Sequence, residues 1–274
     1  MIMSFGKNVA NARKNIGLTQ EQLAEKLGVT FQAVSAWERD ENMPESKTIP
    51  ELAKALNTSA SLLMDDNRPS WTLNTPYSNP EHMYTFIKVK AQSLGFTQTL
   101  KALPLMRSKH EGQFRKGMVE KAPYRVHPLT LACHALAMGI EEDDVLAALL
   151  LHDVLEDTDA KADELDVNPQ VLEAVQLVSY NTYDGEKDEI KPLYYENIGK
   201  NELASLVKCI DRCNNLSCMA DGFTRQKMIK YVSDTERYLM PLLDVIKAVP
   251  KWNNAAWLLR YQVTALVESF KRIL

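Results

Sequence analysis

Glycine is scarce in this chain, with 10 in 274 residues, and apolar/polar alternation is nearly absent. Hairpins and sheets are therefore not expected. No run of about 18 apolar residues occurs, which excludes an ordinary transmembrane helix. The first residues, MIMSFGKNVANARKN, lack the apolar core and small-residue cleavage site of a secretory signal. A cytoplasmic location without membrane partners is the expectation. None of the 4 cysteines stands in a CxxC pair, so buried free thiols are expected rather than a zinc or redox site. A formal net charge of −4 argues against a surface that binds polyanions wholesale. No internal repeat or low-complexity tract is present.

Helical periodicity dominates what remains, and it falls into three zones. Residues 1–65 hold short amphipathic segments. Residues 66–80, DNRPSWTLNTPYSNP, have the proline-rich composition of a linker. Residues 81–274 form a longer helical block that opens with a linker helix over 81–94. The expected fold class is all-α: an N-terminal helix-turn-helix bundle followed by a larger helical bundle.

In the first zone a helix is expected over 5–16, then GLTQEQLAEKLGV. Thr19 is a plausible N-cap with Gln22 three residues on, and Gly28 ends the helix. Thr30 can cap the next one, FQAVSAWERDEN. Two short helices around a tight turn make a helix-turn-helix, and residues 48–64 complete the bundle. These segments, with PELAKALNTS, resemble the Cro/C1-repressor type. The resemblance implies phosphate contacts from Gln20 and Thr30, with Phe31, Gln32, Ser35 and Ala36 facing DNA bases. Seven basic residues against eight acidic ones make residues 1–65 nearly neutral, which weakens the phosphate contribution to DNA affinity.

The second block carries the chemistry. His127, the pair His152-Asp153, and Asp211 form an N/O ligand set suited to one divalent metal. Glu156 and Asp157 follow in LLLHDVLEDTD. On a continuous helix these four side chains of the run would crowd one face. Residues 145–155 are otherwise apolar, and a buried helix excludes charge unless it is paired or bound to metal. Upstream, Arg107, Lys109, Arg115, Lys116, Lys121 and Arg125 face only Glu111 and Glu120, a local basic excess suited to an anion. His134 is expected as a core or supporting histidine, and His82 and His110 as surface or capping residues. Core packing is expected for Tyr194 and Tyr195. Trp252 and Trp257 are expected in a closing C-terminal helix that packs or dimerises.

HEGQFRK at 110–116, APYRVHP at 122–128, LLLHDVLEDT at 149–158 and LVKCIDRCNNL at 206–216 resemble the hydrolase half of RelA/SpoT-type alarmone enzymes. That half is an HD-domain phosphohydrolase, here similar to the hydrolase-only members. The resemblance implies one Mn²⁺ held by His127, His152, Asp153 and Asp211, with Glu156 and Asp157 activating water. It implies Arg115 stacked on guanine, with Lys116, Tyr124 and Asn215 lining a guanine-nucleotide pocket. The implied reaction is removal of the 3′-diphosphate of ppGpp or pppGpp. Two departures stand out: residues 117–122 read GMVEKA where the family has a shorter stretch, and RCNN replaces Arg-Leu-His-Asn at 212–215. DNA binding by the head and a homodimer complete the expectation. Two other readings are a nucleotide-sensing transcriptional regulator and a phosphohydrolase acting on another nucleotide, such as NADPH.

Overall fold

Among the described residues regular structure is helical, apart from one isolated antiparallel bridge between Phe114 and Pro123. The computed structural model describes residues 4–58, 60–64, 79–115 and 122–274. Most of the expected linker lies outside them. The chain divides into two compact units.

The first unit contains α1 (Phe5–Asn15), α2 (Gln20–Leu27), α3 (Phe31–Glu38), α4 (Thr48–Ala55) and α5 (Ala60–Met64). Thr19 starts α2 with a full capping box: its hydroxyl accepts from the Gln22 N–H, and the Gln22 side chain accepts from the Thr19 N–H. Gly28 ends α2 at φ 65°, a left-handed conformation that a Cβ disfavours. The Thr30 hydroxyl caps α3 by accepting from the Ala33 N–H. That helix stops at Glu38, short of the stretch expected. Asp40 turns the chain at φ 58°, and its carboxylate accepts the Gly6 N–H at 2.6 Å. Only glycine fits at position 6, because a Cβ there would lie 2.3 Å from the Trp37 carbonyl oxygen. Val9, Leu23, Val34, Trp37, Leu52 and Leu56 form the core.

The second unit opens with α6 (Pro80–Leu94), α7 (Thr97–Lys109), α8 (Val126–Ala137), α9 (Asp143–Leu151), α10 (Val154–Asp157) and α11 (Pro169–Val178). It continues with α12 (Lys187–Gly199), α13 (Glu202–Cys218), α14 (Arg225–Asp234), α15 (Met240–Lys247) and α16 (Asn253–Ile273). A π-helical turn, Thr235–Leu239, joins α14 to α15. Helix α9 is apolar on all sides because it is the centre: its residues 145–151 are all buried, and it packs against α7, α8, α11 and α13. Asp143 fixes its start against α7 by accepting the N–H groups of Gln98 and Thr99. Helix α6 packs into this core through Met83 and Ile87, and its Ala91 is also buried. Helix α16 closes the unit against α13 and α15 through Leu259, Val263 and Val267. Trp252 is buried in a short turn before α16, whereas Trp257 is 65% exposed. Tyr194 and Tyr195 pack in the core as expected. Among the described residues no helix is long and apolar enough to cross a membrane.

Candidate functional site

The run LLLHDVLED does not form one continuous helix. Helix α9 ends at Leu151, His152 and Asp153 occupy the break, and α10 starts afresh at Val154. The expectation that four side chains share one helical face is therefore corrected. The break sends His152 and Asp153 inward, while Glu156 and Asp157 take separate partners. Glu156 accepts the Tyr180 N–H at 3.1 Å and an ion pair from Lys187 at 2.6 Å. Asp157 accepts the Tyr124 hydroxyl at 2.6 Å.

Three helices bring the metal-ligand candidates together. His127 comes from the first turn of α8, His152 from the end of α9 and Asp211 from the middle of α13. One ligand atom from each lies within 4.8 Å of the others. His127 Nε2 is 3.3 Å from Asp211 Oδ1 and 3.6 Å from Asp153 Oδ2. His152 Nε2 is 2.9 Å from Asp153 Oδ2 and 3.8 Å from Asp211 Oδ1. Both imidazoles are 2% exposed, too buried for these charges to be screened by water.

The hydrogen bonds around the cluster leave its centre open to a cation. The Leu149 carbonyl lies 2.8 Å from His152 Nδ1 and can only accept, so that nitrogen carries a proton. His152 Nε2 then faces the centre, buried, with Asp153 Oδ2 at 2.9 Å in ion-pair contact but no well-aligned hydrogen bond. A cation ligated at this nitrogen would take the place of that poorly aligned contact. Lys208 donates to Asp211 Oδ2 at 2.9 Å, leaving Oδ1 toward the two rings. Two imidazole nitrogens and one Asp211 carboxylate oxygen within 4.8 Å of one another fit one divalent metal, and Asp153 Oδ2 borders both rings.

The electrostatics agree. Burial holds His127 below the ordinary imidazole value, against the pull of Asp211. Burial acts the same way on His152, but the charges of Asp153 and Asp211 outweigh it and raise its pKa to about 9. Burial alone would raise both carboxyls; the His152 and His127 rings instead pull Asp153 well below the usual carboxylate range, and Lys208 does so for Asp211. Carboxylates held ionised in this way favour a proton on the neighbouring His152 ring and attract a divalent cation by the same charges.

Further side chains bond the residues of this centre from outside. Tyr124 donates its hydroxyl to Asp153 and Asp157, and burial beside those two charges keeps the phenol protonated. It also stacks on His110 with ring centroids 4.6 Å apart. His110 is 2% exposed, so the surface half of its expected role is corrected: it caps α7 from a buried position. Arg115 reaches Asn215 Oδ1 at 2.6 Å and Asn214 Oδ1 at 3.4 Å, and Asn215 in turn donates to Asp211 at 2.5 Å. Lys116 lies outside the described residues. The remaining basic excess is largely consumed elsewhere: Arg107 pairs with Glu81, Lys109 with Asp159 and Glu164, and Arg125 with Glu81 and Glu111. His134 lies outside the cluster and bonds the Gln262 side chain.

Two residues that bond the candidate ligands were not singled out from the sequence, Lys208 and Asn214. The signal was present, since they stand three residues before and after Asp211 and so share its helical face. A lone lysine inside the apolar run LVKCI points the same way.

In the first unit the expected DNA-facing residues divide. Phe31 and Gln32 are exposed on α3, and Ala36 is half-buried. The Thr30 hydroxyl is occupied as the helix cap. Gln20 donates to Glu38 at 2.7 Å. Ser35 is buried and accepts from Arg39 at 2.6 Å, so an outward, base-facing orientation is not what the structure gives it.

A helix-turn-helix family model matches residues 9–63. The chain is 35% identical over 68 residues to the HTH-type transcriptional regulator ImmR of Bacillus subtilis, covering 25% of this chain and 54% of that protein. It is 34% identical over 131 residues to a guanosine-3′,5′-bis(diphosphate) 3′-pyrophosphohydrolase of Drosophila melanogaster, covering 45% of this chain and 72% of the relative. A solved structure described as a metazoan ortholog of SpoT that hydrolyses ppGpp matches 63% of this chain and 95% of its own, with a TM-score of 0.51. At 24% identity that last likeness is one of fold.

Proposed function

Because this chain belongs to the family of guanosine-3′,5′-bis(diphosphate) 3′-pyrophosphohydrolases, with a helix-turn-helix domain at its N-terminus, we propose that it hydrolyses the 3′-diphosphate of ppGpp or pppGpp. Water adds to the phosphorus attached to O3′, the P–O3′ bond breaks, and O3′ takes up a proton. The products are GDP or GTP and pyrophosphate. The observation that carries this reading is the convergence of His127 Nε2, His152 Nε2 and an Asp211 carboxylate oxygen within 4.8 Å of one another, with Asp153 Oδ2 beside both rings.

His127, His152, Asp153 and Asp211 would hold one divalent ion, proposed to be Mn²⁺. Such an ion neutralises phosphate charge and makes water a better nucleophile near neutral pH. The other roles belong to the chain itself. Asp157 and Glu156 take the proton of the attacking water; they lie on the one turn of α10 that follows the ligand pair. Tyr124, kept as a phenol, holds Asp153 and Asp157 in a fixed relation by donating to both. Lys187, paired with Glu156, adds a cation near these carboxylates. Arg115, Lys116 and Asn215 are proposed to contact the guanine nucleotide, Arg115 by stacking its planar guanidinium on the base.

The test incubates the full chain with Mn²⁺ and ppGpp and measures pyrophosphate. Release that disappears in Asp211→Ala supports the reading; no release, or equal release by that variant, sinks it. A parallel arm with NADPH, scored for phosphate, separates a change of substrate from a loss of chemistry.

For the first unit the proposed partner is DNA, contacted through the exposed Phe31 and Gln32 of α3. A gel shift on random and promoter-proximal DNA across a salt series tests this, since phosphate-dominated binding fades steeply with salt. We carry the cytoplasmic location and the homodimer as parts of the same proposal. Sedimentation of the full chain checks the dimer.

A further inference from the structure

His127 and His152 point the same nitrogen into the metal centre, but they are aimed by different means. His152 Nδ1 faces the Leu149 backbone carbonyl, which no substitution removes. His127 Nδ1 lies 2.8 Å from Asn214 Oδ1, a side-chain atom. An amide can present either its oxygen or its NH₂, so the aim of His127 depends on which end of Asn214 faces it.

Arg115 decides that end. Its Nη1 lies 3.4 Å from the same Asn214 atom, and a guanidinium has only donors. The atom it faces must be the oxygen, and that oxygen requires a donor from His127. His127 is therefore protonated on Nδ1 and turns the Nε2 lone pair toward Asp211 and Asp153. The second arm of Arg115 bonds Asn215 Oδ1 at 2.6 Å, and Asn215 Nδ2 donates to Asp211 Oδ1 at 2.5 Å. One arginine thus orients two adjacent amides, and each amide holds one ligand of the centre.

We infer that Asn214 is a positioning residue for the metal centre: its carbonyl fixes the tautomer and aim of His127, and Arg115 fixes the carbonyl. Arg115 accordingly has a role before any nucleotide arrives. This inference rests on the metal-centre reading above, and it specifies how the chain prepares that centre.

The experiment measures Mn²⁺ binding to the full, nucleotide-free chain by titration calorimetry. Asn214→Leu keeps the size and removes the acceptor; the expected loss of affinity is roughly 10–100-fold, typical for removing a partner of a metal-bound histidine. Asn214→Asp keeps an acceptor and is expected to bind at least as tightly as the wild type. Arg115→Met is expected to weaken binding, although removing a positive charge near a cation favours binding on Coulomb grounds alone. Tighter binding by Arg115→Met overturns the locking role. Nitrogen-resolved NMR of the imidazoles in the Zn²⁺-loaded chain reads the tautomer directly. The wild type and Asn214→Asp should show one Nδ1-protonated His127, and Asn214→Leu a mixture. A folded Asn214→Leu chain with unchanged affinity and an unchanged His127 spectrum overturns the inference while leaving the metal centre intact. A wild-type chain that binds no divalent ion removes the metal-centre reading, and this inference with it.

Discussion

Both units bury charge, and they do so to opposite ends. In the first, Arg13 and Glu38 form a closed set. The guanidinium pairs with both carboxylate oxygens at 2.6 and 2.9 Å, its remaining arm donates to the Leu18 carbonyl at 2.7 Å, and Gln20 donates to Glu38. Every partner is internal, so the pair joins α1 to α3 and asks for nothing further. In the second, His127, His152, Asp153 and Asp211 converge, and the His152 Nε2 contact to Asp153 at 2.9 Å lacks hydrogen-bond alignment. Burial of charge is thus not a sign of function by itself. A charge cluster that its own neighbours fail to satisfy is the informative case.

The comparison breaks first at the metal centre. Asp211→Ala removes a ligand and leaves Lys208 buried without its carboxylate; the expected fall in pyrophosphate release is about three orders of magnitude, several kcal/mol of lost charge stabilisation. In the other unit, Glu38→Gln leaves Arg13 an unpaired buried cation. Thermal unfolding of the variant should show a loss of about 3 kcal/mol. The same pair predicts a pH dependence. Burial opposes the charge on Glu38, but the hydrogen bonds from Arg13 and Gln20 prevail and hold its pKa below the ordinary value. The stabilisation is therefore complete above the ordinary glutamate range and is lost as pH falls through the lowered folded-state value. Acid titration of the first unit's unfolding should show this in the wild type and much less of it in Glu38→Gln.

Tyr124→Phe sharpens the contrast without deleting a ligand. It removes a donor shared by Asp153 and Asp157, and a hydrogen bond to a charged group contributes about 1.5–3 kcal/mol. The turnover number should fall roughly 10–100-fold, with Mn²⁺ affinity changing far less than in Asp211→Ala. The smallest effect is expected at Thr19→Ala, which opens the capping box of α2. Differential scanning calorimetry should find a loss of about 1 kcal/mol in the first unit and no change in the second.

Much of the fold could be read along the chain because its determinants are local. Thr19, Gln22, Gly28 and Thr30 act on groups within a few residues, and each does in the structure what its spacing implies. The candidate ligand types were equally legible, since two histidines and two aspartates in apolar surroundings are chemically conspicuous. The break between Leu151 and Val154 was not legible, because helical periodicity continues straight through it. Nor was the fate of the basic segment. Arg107 and Lys109 meet Glu81, Asp159 and Glu164 only after α6, α7 and the stretch following α10 have packed.

By itself the sequence determined an all-helical chain, a capped helix-turn-helix and a set of metal-seeking side chains. Those follow from backbone propensity, capping and donor chemistry, which act at short range. Only the tertiary structure decided that α8, α9 and α13 bring three of the candidate ligands, His127, His152 and Asp211, to within 4.8 Å. It also decided that Tyr124 joins Asp153 to Asp157, and that Arg115 holds Asn214 and Asn215 against His127 and Asp211. Hydrogen bonds between residues up to 100 positions apart form only when the core around α9 fixes the helices that carry them.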